Sequence, residues 1–413
     1  MMNSLFEAAL GIKAPWYIRD LQFDEPKKTL TVQIDFYRGS QFPYPGIDGG
    51  LFSAYDTQTK RYRHLNFFQH ECILEVRVPR VKLPDGSVRL IEPEWSGKLN
   101  GFTLLFEAMV VFLAQHSTFQ FVADLMNISW YRVHAICTKY VELALEREDF
   151  SAITAVAIDE TSCRRGHDYL TIVADMTKRR VVHVTPGKDA ETVESFATCL
   201  EAHQGNREQV SSVSIDMSPA FIKGVTQSLP QAQITFDKFH VIAHASTAVD
   251  ETRRAEQKSE EVLKKKRWLF LKDTSKLTSE QREQRNNVIN RHANLRTVRA
   301  WLYREELREI LDGKQINVME RKLKQWCTNV MRSKIDQMKR VAKMIREHMD
   351  GIVAWARSRQ TNGFIEAING LFQAAKRKAR GYTRFDTMRT VIFLIAGKLN
   401  FLPVNPHVAD YAR

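Results

Sequence analysis

The sequence predicts an α/β protein: a mixed-sheet core interrupted by an all-helical insertion, preceded by a small β-rich module and a helix-turn-helix-like region. Three observations predict it. Strand-like alternation runs from about Asp20 to Leu90; the pattern is helical from Phe102 to Glu146 and extended again between Ala152 and Phe236; and from His240 to about Trp355 strand-like runs vanish. These shifts suggest domains at 1–95, 96–148, 149–240, 241–355 and 356–413.

The first module alternates in Thr31 to Phe36 and in Glu71 to Val78, and is punctuated by Pro and Gly clusters at Phe42 to Gly50 and Leu83 to Gly86. Helical sequence follows at Phe102 to His116, Thr118 to Met126 and Trp130 to Glu146. Ser129 is a good N-cap for the last helix, and the short break before it resembles a helix-turn-helix with Trp130 and Arg132 at its head. Two helices joined by a tight turn are more often plain core, so the pattern alone does not assign DNA binding.

Three apolar runs, Ala152 to Ile158, Tyr169 to Ala174 and Val181 to Val184, read as an antiparallel meander. A helix at Ala190 to His203, a strand at Val210 to Ile215, a helix at Pro219 to Ser228 and a strand at Gln233 to Phe236 complete the element order of the ribonuclease H fold. The charged segment after His240, with Lys264, Lys265, Lys266 and Arg267 beside Trp268 and a second basic run around Arg332 to Arg346, cannot belong to the sheet. Final helices near Asn362 to Arg380 and Thr387 to Leu399 are expected to return to that sheet.

Bulk composition bounds the function. Lys and Arg exceed Asp and Glu by 61 to 48, a net charge of +13, which favours a polyanionic partner. No apolar run reaches the ~18 residues of a membrane span, and Met1 to Ile12 lacks the basic start and cleavage pattern of a signal peptide, so a cytoplasmic, nucleoid-associated protein with no membrane partner is expected. The five cysteines are scattered without a C-x-x-C pair, which argues against a disulfide framework or a cysteine zinc site.

Asp159 closes the first predicted strand of the core and Asp216 the fourth. In the ribonuclease H order those strands are parallel neighbours, so the two carboxylates would lie about 5 Å apart. Glu366, on a predicted helix after the insertion, is the best-placed third carboxylate. Such a set suits Mg²⁺ or Mn²⁺, which prefer oxygen ligands, and two such ions support in-line phosphoryl transfer without a nucleotide cofactor. Singly, an aspartate after a strand is as readily a turn or cap, and Asp216 with Met217 and Ser218 could cap a helix at Pro219.

At these residues the sequence resembles the DDE transposases of bacterial insertion sequences, in the ISL-three group. The resemblance covers roughly Tyr62 to Leu399 and rests on Ala157-Ile158-Asp159-Glu160, on Ser214 to Ser218, on Phe236 to Val241, and on the run Thr361 to Tyr382. It implies that Asp159, Asp216 and Glu366 are the metal-binding catalytic triad and that the segment between Asp216 and Glu366 is an all-α insertion. Asp237 and His240 match a D-x-x-H motif near the active site, with a capping or core histidine as the bland alternative. Lys376, Arg377, Lys378 and Arg380 match a DNA-backbone contact, against a solvated helix face. Trp268 and Trp301 could stack on an extruded base, although core is the favoured reading.

The resemblance also implies double-stranded DNA as partner, element ends and target alike, and a homodimer or larger assembly. One departure stands out. Where the family carries cysteine pairs in a zinc-ribbon-like N-terminal module, this chain has Phe42-Pro43-Tyr44-Pro45-Gly46 and Leu83-Pro84-Asp85-Gly86, so no zinc is expected and Phe42 and Tyr44 should fill the space. The expected activity is binding of terminal inverted repeats with metal-dependent strand cleavage and transfer. A catalytically inactive DNA-binding regulator and a structure-selective nuclease of the same fold are the alternatives.

Overall fold

The computed structural model describes residues 2–44, 50–163, 168–358 and 363–411. Pro45, Gly46, Thr361 and Asn362 of the motifs above lie outside the described residues. The chain divides into two compact units, Met1–Glu148 with Ala374–Arg413, and Asp149–Gln373. Among the described residues no helix is long and apolar enough to cross a membrane.

The first unit opens with α1 (Met2–Leu10) and the strands β1 (Trp16–Asp24), β2 (Thr29–Phe36), β3 (Gln41–Pro43), β4 (Leu51–Phe67), β5 (His70–Lys82) and β6 (Val88–Leu90). They form one sheet in the order β1-β2-β5-β4-β3, with β6 on β5. The alternation seen in the sequence is the burial pattern. Val32 and Ile34 of β2 and Leu74, Val76 and Val78 of β5 all point into one core. Phe42 is buried against Trp16 and Phe36, with ring centroids 5.9 and 5.1 Å away, and Leu83 and partly buried Tyr44 join the same cluster. Apolar packing thus fills the space, as the sequence suggests.

Three helices follow: α2 (Leu104–His116), α3 (Phe119–Met126) and α4 (Trp130–Leu145). Each starts at a hydroxyl cap. Thr103, Thr118 and Ser129 accept from the backbone N–H groups of Phe106, Phe121 and Arg132, worth about 1 kcal/mol apiece. Asn127 ends α3 in the left-handed region at φ 51°, which folds the chain back into the tight turn before α4. The buried positions of α4, Val133, Ile136, Cys137, Tyr140, Val141 and Ala144, recur at helical spacing on one face.

The second unit contains β7 (Ala155–Ser162), β8 (Tyr169–Asp175), β9 (Arg180–Pro186), α5 (Ala190–Ala202), β10 (Ser212–Ile215), α6 (Pro219–Ser228) and β11 (Gln233–Phe236). The sheet order is β11-β10-β7-β8-β9. β7, β8 and β9 form the antiparallel meander, while β10 runs parallel to both β7 and β11. Phe196 and Leu200 of α5 and Phe221 and Val225 of α6 share a core with Val156, Ile158, Val213 and Ile215 of the strands.

The helical segment comprises α7 (Lys238–Glu256), α8 (Arg267–Leu271), α9 (Ser279–Arg291), α10 (Arg296–Asp312), α11 (Ile316–Met331), α12 (Asp336–Glu347) and α13 (Met349–Ser358). Its buried residues, among them Phe270, Leu307, Leu323 and Trp326, continue the core of the sheet. Helix α13 lies on β11, and Gly351 permits that approach, because a Cβ there would collide with the Phe236 ring. Trp301 is core, as favoured, but Trp268 is 54 % exposed, contrary to the core reading.

Helix α14 spans Gly363–Lys378 and α15 spans Phe385–Ala396. The sequence leads one to expect both on the sheet. For α15 this is corrected: it packs on α4 and α2, with the Thr138 and Thr390 hydroxyls 3.2 Å apart, and belongs to the first unit. The reason is its apolar face: Met388, Val391, Ile392 and Phe393 are buried, and periodicity reports that a face is buried without saying against what.

Candidate active site and DNA-binding face

The three parallel strands fix a row of aspartates. Ser214 pairs with Ala157 and Ile215 with Phe236. Continuing that register sets Asp216 opposite Asp159 on one side and Asp237 on the other, with strands about 4.8 Å apart. Asp159 does not end its strand, as the sequence suggested. β7 runs on to Ser162 paired with β8, and it is the parallel ladder to β10 that stops at Ala157.

Each carboxylate of the row is anchored locally. The Asp159 Oδ1 accepts the Glu160 N–H at 2.8 Å, and the Asp216 Oδ1 accepts the Ser218 N–H at 3.0 Å, so Asp216 does hold the turn before α6. Asp237 is fully buried and caps α7 through the Phe239 N–H at 2.9 Å. One turn on, His240 carries a buried Nε2 with no hydrogen-bond partner among the described residues.

Helix α14 reaches the same row. Asn369 donates from Nδ2 to the Asp159 Oδ2 at 2.7 Å, and Gln373 donates to the Thr161 hydroxyl and the Ser162 carbonyl, both at 2.9 Å. Glu366, three residues before Asn369 on the same helical face, is exposed and makes no ion pair among the described residues. Burial pushes the Asp159 carboxyl up to about 6; the Glu160 N–H and His240 oppose this, and the like charges of Asp216 and Glu366 add to it. Burial, with the charge of His240, lowers His244, which also senses Asp216. Asp216, Glu366 and His240 thus all lie near enough to act on Asp159, although among the described residues no three acidic, His or Cys side chains are spaced to hold a metal ion.

Of the remaining candidates, Trp130 stacks on His134 with centroids 5.2 Å apart, and Arg132 is bound to the Asn100 carbonyl at 3.1 Å and lies over the Phe102 ring. Lys264 pairs with Glu261, and Arg267 with Asp250 and the Trp268 ring; Lys265 is exposed and Lys266 partly buried. Arg377, Lys378 and Arg380 are exposed, whereas Lys376 is partly buried. Sequence reasoning missed Asn369 and Gln373, although their spacing of three and seven from Glu366 marks one helix face. It also missed Glu107, fully buried beneath the helix-turn-helix.

Comparison with known proteins places the chain in a family. Residues 156–392 match a family model described as "Transposase", of the DDE ISL3 type, and residues 91–141 match the helix-turn-helix domain of transposase family ISL3. The chain is 27% identical to the transposase for insertion sequence element IS1001 of Bordetella parapertussis over 340 residues, 80% of this chain and 82% of that one. It is also 27% identical to the transposase for insertion sequence element IS1557 of Mycobacterium tuberculosis, over 97% of each chain, in strains CDC 1551 and H37Rv. With more than half its length matched to the family model, and helices α2 to α4 falling on its DNA-binding domain, the chain belongs to transposase family ISL3.

Proposed function

We propose that this transposase binds the terminal inverted repeats of an insertion sequence and catalyses strand cleavage and strand transfer. Residues 149–240 and the helix bearing Glu366 are read as a ribonuclease H-like core, 241–355 as its helical insertion, and 96–148 as the end-binding region. Asp159, Asp216 and Glu366 are the catalytic carboxylates in this reading. The observation that carries it is the parallel pairing of β7 with β10, two residues beyond whose last pair lie Asp159 and Asp216, with Asn369 bonding the Glu366 helix to Asp159.

By donor chemistry, though not by the spacing of the side chains in this structure, the set suits a hard divalent cation. All three groups offer carboxylate oxygens, the Asp159 carboxyl carries a like-charge load from the other two that a cation would relieve, and the buried Asn369 Oδ1 has no donor among the described residues. Asp159, Asp216 and Glu366 would hold two Mg²⁺ or Mn²⁺ ions. Such ions, when bound, activate a water or a 3′-hydroxyl and stabilise the leaving oxygen.

The chain's own residues supply the positioning. The Glu160 N–H and Asn369 hold the two oxygens of Asp159, the Ser218 N–H holds one of Asp216, and Asp237 fixes the first turn of α7 that carries His240. Basic side chains at Lys376 to Arg380 and Lys264 to Arg267 would take phosphates without reading sequence. Joining two ends in one complex requires a dimer or larger assembly.

Nicking of a supercoiled plasmid carrying the element ends tests the reading. Wild type should nick in Mg²⁺ or Mn²⁺ and Asp159→Asn should not, while both retain end binding. A mutant that nicks at the wild-type rate removes Asp159 from the site.

A further inference from the structure

The helix-turn-helix is poor in cations. From Thr118 to Leu145 the only Lys or Arg residues are Arg132 and Lys139, offset by Asp124 and Glu142. Arg132 is already committed to the Asn100 carbonyl and the Phe102 ring. Yet phosphate contacts supply much of the affinity of a duplex-binding module and fix its register. The charge must come from elsewhere in the molecule.

It lies across a groove in the same unit. One wall of this groove, of about 670 Å³, is the first turns of α3 and α4 with Phe121 and Trp130, and the other is the turn that ends α14, with Lys378, Arg380 and Tyr382. Lys378 and Arg380 are exposed and enter no ion pair among the described residues. The backbone sets the shape of that turn: Arg380 and Gly381 sit at φ 58° and 105°, and the Gly381 N–H returns to the Lys376 carbonyl at 2.8 Å. Asp124, the one acid lining the groove among the described residues, accepts from Gln120 at 2.8 Å.

We propose that Lys378 and Arg380 are the phosphate clamp of the helix-turn-helix: they grip the backbone of the same duplex that α4 reads, one sugar-phosphate strand lying along the groove. This rests on the chain's reading as a DNA-binding transposase. It assigns the basic turn to end recognition, where a contact to target DNA or to the strand being cut was equally open.

The test uses full-length protein and a 30-bp duplex enriched by the wild-type protein from a random pool, with binding followed by fluorescence anisotropy from about 0.05 to 0.2 M salt. Lys378→Gln with Arg380→Gln should weaken binding about tenfold or more and lower the salt slope by about 1.8, the value for two lost phosphate contacts. Lys378→Arg with Arg380→Lys should restore both. Neutral methylphosphonates locate the contacts. Those whose effect disappears in the double Gln variant should lie within about half a helical turn of the base pairs where Tyr131→Ala, 74 % exposed on α4, loses discrimination. Unchanged affinity and slope in a folded double variant, or contacts mapping outside that half-turn, overturn the proposal. A protein that binds in this way but never nicks DNA would instead defeat the catalytic reading and leave the clamp standing.

Discussion

Asn369 donates a 2.7 Å hydrogen bond to Asp159 across 210 residues of sequence. It ties the helix that carries Glu366 to the strand that carries Asp159, and it occupies one oxygen of a carboxylate with two acidic neighbours. Hydrogen bonds to charged groups are worth about 1.5–3 kcal/mol, and partial exposure of both residues places this one near the lower end. Asn369→Ala should therefore cost about 1–2 kcal/mol in urea unfolding. Metal-dependent nicking should fall about 10- to 100-fold, as expected for a residue that orients a ligand. Unchanged stability and nicking would mean that the contact does not position Asp159.

The carboxylate series separates binding from chemistry. Asp216→Asn and Glu366→Gln should each reduce nicking by about 10³-fold or more, because an electrostatic centre of this kind supplies several kcal/mol to the barrier. End binding should stay within about twofold of wild type. A Glu366→Gln protein that nicks normally would point to another acidic residue as third partner.

The pH dependence follows from Asp159. Its carboxyl is pushed up to about 6, against an ordinary 3.8, by burial and by Asp216 and Glu366. A protonated carboxyl does not ligate a cation, so a raised value weakens metal binding below about pH 6. Half-saturating Mg²⁺ for nicking should rise by up to about tenfold per pH unit from 6 to 5. A metal requirement constant down to pH 4.5 would contradict it.

Beneath the helix-turn-helix, Glu107 accepts from the Lys98 and Leu99 N–H groups and the Tyr140 hydroxyl at 2.7, 2.8 and 2.8 Å. Asn405 donates to the Tyr140 oxygen and the Leu104 carbonyl, both at 2.7 Å. Glu107→Ala would leave the buried Tyr140 hydroxyl and the part-buried Lys98 and Leu99 N–H groups without their acceptor, a loss of about 2–4 kcal/mol when single buried groups cost about 1–3. End binding should melt at lower temperature in this variant. A melting temperature equal to wild type would show that water replaces the carboxylate.

Much of this fold is legible in the sequence because burial and period coincide. Pro219–Ser228 and Gln233–Phe236 appear as read, and the meander is shifted by only a few residues. What periodicity cannot supply is the partner of a face. The apolar stripe of Phe385–Ala396 fits a sheet as well as the helices it covers. In the site, Asp159 and Asp216 are marked by the apolar runs they follow. Asn369 and Gln373 are unremarkable amides until α14 is seen against β7. Trp268 looked like core because tryptophan usually is; its place at the head of the five-residue helix α8, next to Arg267, leaves the ring outside.

The most direct measurement is anomalous diffraction from crystals of the protein bound to its DNA ends and soaked in Mn²⁺. The account predicts manganese peaks about 2.2 Å from carboxylate oxygens of Asp159, Asp216 and Glu366 together. Manganese bound elsewhere, or at the two aspartates with Glu366 turned away from it, would contradict it.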